Sequence, residues 1–230
     1  HGRSYKRTMN GQALRALLEE TAKGNNLGEK IKLVGASKTM SADDINRAYD
    51  AGLTAAAENR VQEFNEKFPL VRCRDYQFIG HLQTNKVKYL VGKATLIQSV
   101  DRDELAAEID RLSRKKGVTS DILAEINIGR EESKSGYAPE DCLAACERLL
   151  SHKNLRLKGL MAMLPLGAEE SRLADLCLQM REFYDIMRKN GAPFEHLSMG
   201  MSGDYKTAIA NGSNMIRIGS LIFGKRNYTV

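Results

Sequence analysis

The chain has no apolar run approaching the roughly 20 residues that a membrane-spanning helix needs. Residues 1–8, HGRSYKRT, are basic but lack the apolar stretch of a signal peptide. No membrane partner is therefore expected, and those eight residues, which begin with His rather than Met, read as an expression remnant or a disordered tail. The four cysteines, Cys73, Cys142, Cys146 and Cys177, show no zinc-ribbon or redox-motif spacing, so no metal is expected. Cys142 and Cys146 lie four apart on an expected helix, which places them on one face, buried rather than reactive. A reduced, cytoplasmic protein is the plain reading. The four prolines are scattered, and no low-complexity tract or Pro/Gly-rich linker divides the sequence, so residues 9–230 are expected to form one domain. No GxGxxG follows an early strand, which counts against a dinucleotide fold. Charge of one sign is in modest excess only, at +6. The basic residues alternate with acidic ones along helical stretches such as EIDRLSRKKG. Their one dense patch, residues 111–116, ends a helix, where the dipole favours cations. A solvated surface, not a nucleic-acid partner, is expected.

What is present is a regular alternation. Strand-like apolar runs fall at residues 31–37, 53–57, 76–80, 95–100, 121–128, 155–163, 196–200 and 214–219, after an N-terminal helix at about 10–24. Several are apolar almost throughout, as strands buried on both faces should be. Between them lie amphipathic stretches with apolar residues at i, i+3, i+4 and i+7. SADDINRAYDAG is one; Ser41 is its expected N-cap and Gly52 its stop. Eight strands alternating with helices in 230 residues predict an α/β fold, a single (β/α)8 barrel with an extra N-terminal helix. An open doubly wound sheet is the alternative.

In such a barrel the active face lies at the C-terminal ends of the strands. Polar and glycine-rich residues do gather there: Ser37-Lys38-Thr39, Glu58-Asn59-Arg60, the GHLQTNK run from Gly80, GREESKSG with Lys134, SMGMSGD with Ser202, and Arg217-Ile218-Gly219-Ser220. The last two loops supply the small residues and hydroxyls of a phosphate site, although Gly and Ser also mark ordinary turns. Lys38 ends an apolar strand and is expected to point into the barrel mouth. Burial there would depress its pKa and leave an amine able to form an imine. A lysine binding an anion as a point charge, or one facing solvent, remains open. His81 reads as a hydrogen-bonded structural residue before a catalytic one, and Met161, Met163, Met199 and Met201 as core or as a soft wall around a ring.

The motifs VGASKT, AENRVQE, FIGHLQTNKVK, SKSGY, LKGLMAM, SMGMSGDYKTAI and GSNMIRIGSLIFG, in this order on successive units, resemble the pyridoxal phosphate homeostasis protein family. Its members are single-domain relatives of the alanine racemase N-terminal barrel, fold type III of the pyridoxal 5'-phosphate (PLP) proteins. The resemblance runs from about Lys32 to Asn227. It implies PLP as cofactor, held as an internal aldimine on Lys38. Ser202, Gly219 and Ser220 would then contact the phosphate, Arg217 would face the pyridine nitrogen, and Asn59 and Met199 would line the pocket. Lys134 would assist cofactor exchange. No catalytic residue is established by the resemblance. Two departures stand out: Ala57-Glu58-Asn59 replaces Gly-Glu-Asn, and Met40-Ser41 follows SKT where a Pro or a further Lys is common.

Three functions follow. The first is a PLP carrier that serves intracellular PLP homeostasis, with PLP-dependent apo-enzymes as recipients. The second is a racemase of the alanine racemase type. That chemistry needs acid/base groups on both faces of the cofactor. In alanine racemase one comes from the partner subunit's second domain, and this chain ends at Val230 without one, so the carrier and a monomer are expected. The third is an imine-forming aldolase, which gives no reason for an arginine facing a ring nitrogen.

Overall fold

The computed structural model describes residues 8–224. The remnant-or-tail reading of residues 1–8 therefore lies, apart from Thr8, outside the described residues. Eight parallel strands close into a barrel in chain order: β1 (Lys32–Ala36), β2 (Ala55–Glu58), β3 (Asp75–Phe78), β4 (Ile97–Val100), β5 (Ser120–Glu125), β6 (Leu155–Met161), β7 (His196–Ser198) and β8 (Met215–Ile218). The ring is sealed where β8 pairs with β1, with Val34 opposite Arg217 and Gly35 opposite Ile218. The open doubly wound sheet is thereby excluded. Each strand overlaps its apolar run, with ends that differ by up to three residues, and most are trimmed at the end that becomes the mouth.

The helices are α1 (Gly11–Ala22), α2 (Ala42–Asp50), α3 (Val61–Lys67), α4 (Asp103–Lys116), α5 (Cys142–Leu150), α6 (Glu170–Lys189), α7 (Tyr205–Ala210) and α8 (Ser220–Phe223). Ser41 caps α2 as expected and does so reciprocally, because Asp44 returns a bond to the Ser41 N–H. The unit after β3 has no α-helix, only a 3-10 segment, Thr84–Tyr89. Its buried Val87 and the following Leu90 are three apart, the repeat of that tighter helix. α8 is a single turn, and α1 supplies the cover it cannot. Leu14 and Leu17 of α1 pack with Leu33 of β1, Ile216 and Ile218 of β8, and Phe223, over the seam. Met40, one of the two departures from the family pattern, fills this same cluster.

Side chains alternate across each strand. Val34, Ala55, Ala57, Leu123, Met161 and Met215 fill the barrel interior, while Phe78, Ile97, Ile122, Leu157 and Leu197 face the helices. β6 carries a local irregularity at Gly159, whose φ is +150°; a Cβ there would stand 1.8 Å from the His196 carbonyl oxygen, so only glycine fits. All four cysteines are buried and unpaired, Cys142 and Cys146 on the inner face of α5. No described helix is long and apolar enough to cross a membrane.

Leu123 is fully buried in the interior layer, where relaxation around a deletion is limited. Leu123→Ala is expected to lower unfolding free energy by about 3 kcal/mol, as read by urea denaturation.

Candidate functional site

The candidates gather at the seam. Lys38 follows β1 by two residues, and Gly219 and Ser220 follow β8 directly. The β1–β8 register brings the two strand ends level, and a Cβ on Gly219 would lie 3.2 Å from the Ala36 carbonyl oxygen. The loop after β7, with Ser202, is tied to β8 by the Arg217 N–H, which donates to the Gly200 carbonyl at 2.9 Å. Ser202 is half-buried, Ser220 exposed. Ser220 opens α8, where N–H groups of a first turn have no acceptor within the helix.

Arg217 is 1% exposed, the largest fully buried side chain of the described residues. Its guanidinium donates from Nη1 to Ser198 Oγ, and from Nη2 to the Ala162 carbonyl at 3.0 Å and to Met163 Sδ at 3.4 Å. Burial lowers its pKa to about 10, against the pull of Glu125 and Asp204, so it stays a cation at neutral pH. Below it a chain of polar side chains descends through the barrel. Ser198 donates to Gln98 Oε1 at 2.6 Å, Gln98 donates to Gln77 Oε1 at 2.7 Å, and Gln77 donates to Asp75 Oδ1 at 3.0 Å. Asp75 in turn pairs with Lys32. Every link places a donor on an acceptor, which is what allows buried amides to persist. Ser198 was noted only as part of the SMGMSGD run, and Gln98 and Gln77 were not singled out from the sequence. Their signal is a polar residue on the inward phase of a buried strand.

Glu125, also missed, projects from β5, across the ring from β1, and is 7% exposed. Burial first, then the charge of Asp101, raises its pKa to about 7, and Arg217 only partly offsets this. Asn59 is partly buried after β2, and its Oδ1 is an orphan, buried without a hydrogen-bond partner. The Asn59 backbone is crowded by Gly80, where a Cβ would meet the Asn59 carbonyl oxygen at 1.9 Å.

Three expectations need correction or narrowing. Lys38 continues the inward phase of Val34, but it lies beyond the strand in a solvent-facing turn and is exposed, so the argument from burial does not hold. Met199 is fully buried on the outward phase of the β7 end, in the layer between barrel and helices. Its side chain is not in the mouth, and of the four methionines Met161 and Met163 are the ones inside the barrel. Lys134 is held by Glu131 at 3.0 Å and the Leu164 carbonyl at 3.2 Å, on the rim opposite the seam, so the structure does not bring it to Lys38. His81 is exposed and bridges loosely to Asp101 and Ser135 at 3.5 and 3.4 Å. A groove of about 610 Å³ beside the mouth, lined by Arg60, Gln62, His81 and Lys86 among others, includes only Asn59 of the candidates.

The family model of the alanine racemase N-terminal domain matches residues 14–227. The pyridoxal phosphate homeostasis protein of Aquifex aeolicus is 41% identical over 213 residues, covering 91% of this chain and 92% of that protein. Its counterpart in Synechocystis is 37% identical over 87% of this chain and 94% of its own. Among solved structures, PipY of Synechococcus elongatus with PLP bound superposes with a TM-score of 0.81 at 30% identity, covering 93% of this chain and 99% of that one. An alanine racemase of Clostridium difficile shares the fold with a TM-score of 0.74 at 16% identity, and this chain spans 61% of its length.

The Glu125 carboxyl is more protonated folded than unfolded between its ordinary 4.5 and about 7. Its contribution to stability is complete below 4.5 and is lost as pH rises to about 7. Glu125→Gln is therefore expected to gain on the wild type as pH rises through that window, by up to roughly 3 kcal/mol, with urea midpoints from pH 4.5 to 8 as the measurement.

Proposed function

The chain belongs to the alanine racemase N-terminal domain family, among its pyridoxal phosphate homeostasis proteins, and from that premise we propose that it binds pyridoxal 5'-phosphate as a Schiff base on Lys38. Its role is in intracellular PLP homeostasis, without robust turnover. The residues fit the group on chemical grounds. Asn59 offers an orphaned buried amide near the mouth. Ser202, Gly219 and Ser220 offer hydroxyls and close backbone approach at the ends of β7 and β8, suited to a phosphate. When bound, the cofactor supplies an aldehyde that a primary amine can condense with, and a conjugated ring able to accept electrons. Lys38 would hold the group at that aldehyde through its side-chain amine.

Arg217 is the observation that carries the reading. A guanidinium still charged at neutral pH can only donate, so a ring nitrogen set against it keeps its lone pair as an acceptor. Such a ring is a weak electron sink, which suits holding a cofactor better than driving reactions through it. Met199 contributes at most its backbone to the lining, since its side chain faces the helices. Lys134 could join only by leaving Glu131 and Leu164, which makes a role in cofactor exchange a loop-opening event. The proposed recipients are PLP-dependent apo-enzymes. Four unpaired buried cysteines suit a reducing compartment, and we place the protein in the cytoplasm as a monomer, which size-exclusion chromatography with light scattering tests.

A racemase is the second reading, and Glu125 favours it. A carboxyl titrating near 7 at the mouth can hold or accept a proton at neutral pH.

Lys38→Ala is expected to abolish the visible band of the PLP-loaded protein and its borohydride-fixed label, while circular dichroism stays unchanged. A labelled lysine in that variant would assign the linkage elsewhere. Loaded wild type incubated with L-alanine in deuterium oxide is expected to show no rapid Cα exchange; exchange with D-isomer formation, lost in Glu125→Gln, would establish the racemase.

A further inference from the structure

Lys38 stands in a turn whose next residue, Thr39, is held in an unfavourable backbone. Ser37 to Met40 form a tight turn closed by the Met40 N–H on the Ser37 carbonyl at 3.0 Å. Thr39, third in that turn, has φ +67°. This left-handed region suits glycine or asparagine there; a β-branched residue adopts it only where the surroundings impose it. The imposing groups come from α3. Glu63 Oε2 accepts the Thr39 N–H at 2.8 Å. One helical turn on, Lys67 Nζ donates to the Ser37 carbonyl at 3.1 Å, to Glu63 Oε2 at 2.9 Å and to Glu58 Oε1 at 2.9 Å. All three ammonium hydrogens are thereby used. Glu58, fully buried, anchors the assembly from β2 and also accepts from Tyr76 at 2.7 Å and from the Ser37 hydroxyl at 2.8 Å. Burial opposes the charge of Glu63, yet the Thr39 N–H and Lys67 outweigh it and hold the carboxyl below its ordinary range.

We infer that Glu63 and Lys67 are positioning residues that clamp the Ser37–Met40 turn at both ends and thereby aim the otherwise exposed Lys38 side chain at the aldehyde of the cofactor. This rests on the Schiff-base reading of Lys38. The clamp sits on the outer side of β2, under α3, whereas the cofactor residues sit in the mouth. Its effect reaches the cofactor only through the direction of the lysine. A flexible turn would spread Lys38 over many directions, and the entropy of selecting one would weaken imine formation.

The test is a PLP titration of the folded full-length protein, read by the Schiff-base absorption band, its pH midpoint and, separately, the melting temperature without PLP. Glu63→Ala is expected to raise the half-saturating concentration at least tenfold and to shift the pH midpoint. Adding Thr39→Gly should bring both back to within about threefold of wild type, because glycine takes the turn without the clamp. A purely structural role would lower the melting temperature, leave half-saturation of the folded fraction unchanged and show no rescue; that result overturns the inference. If Glu63→Ala does not fold, Glu63→Asp keeps the charge but falls short of the Thr39 N–H. It should show a loss of at least threefold that Thr39→Gly reverses, and an unchanged titration overturns the inference equally. A band retained by Lys38→Ala overturns the Schiff-base reading and the inference together. A band lost in Lys38→Ala but untouched in the Glu63 variants overturns the inference alone.

Discussion

A cation held inside the barrel governs the rest of the interior. Arg217 enters from β8 with almost no exposed surface, and a buried guanidinium survives only where acceptors are already in place. Ser198 and the Ala162 carbonyl meet it directly, and Gln98 and Gln77 pass the polarity down to Asp75 and Lys32 at the opposite end. The interior is thus not simply apolar. It is an aliphatic packing of Val34, Leu123, Met161 and Met215 threaded by one hydrogen-bonded chain. The upper end of that chain is a rigid donor.

The two long basic side chains of the seam behave in opposite ways. Arg217 is fixed by its own hydrogen bonds. Lys38 is exposed, and its main chain, not its side chain, is what the fold restrains. The arginine is thus set at its guanidinium and the lysine at its backbone turn. Glu125, across the ring, adds a group whose charge changes near neutral pH, which makes the mouth sensitive to proton concentration in a way that Arg217 is not.

Much of this was legible before the structure. The eight strands, the extra helix and the Ser41 cap follow from periodicity and local turn chemistry, because buried parallel strands leave continuous apolar runs. The gathering of Lys38, Ser202, Arg217, Gly219 and Ser220 at one end follows from barrel topology. The depth of Lys38 did not follow, because two residues beyond a strand end are enough to reach solvent. The facing of Met199 was misread because a motif that lies on a strand end alternates, so Ser198 turns inward and Met199 outward. Glu58 was read with Asn59 as part of the mouth and Lys67 carried no signal; only the fold brings the two together under the Ser37 turn.

The seam has one more consequence. β1 and β8 are the first and last strands to leave the chain, and they meet only when the ring is complete. Lys38 and Arg217, 179 positions apart in the numbering, are thus brought to one seam by closure alone. A molecule gripped by both acts as a clasp on a bracelet. It is retained only by the closed form, so its binding energy is added to the barrel as a whole and to no half of it. Loss of the last strand, or of the helix α1 that lies over the join, would release such a molecule even with every loop residue still present.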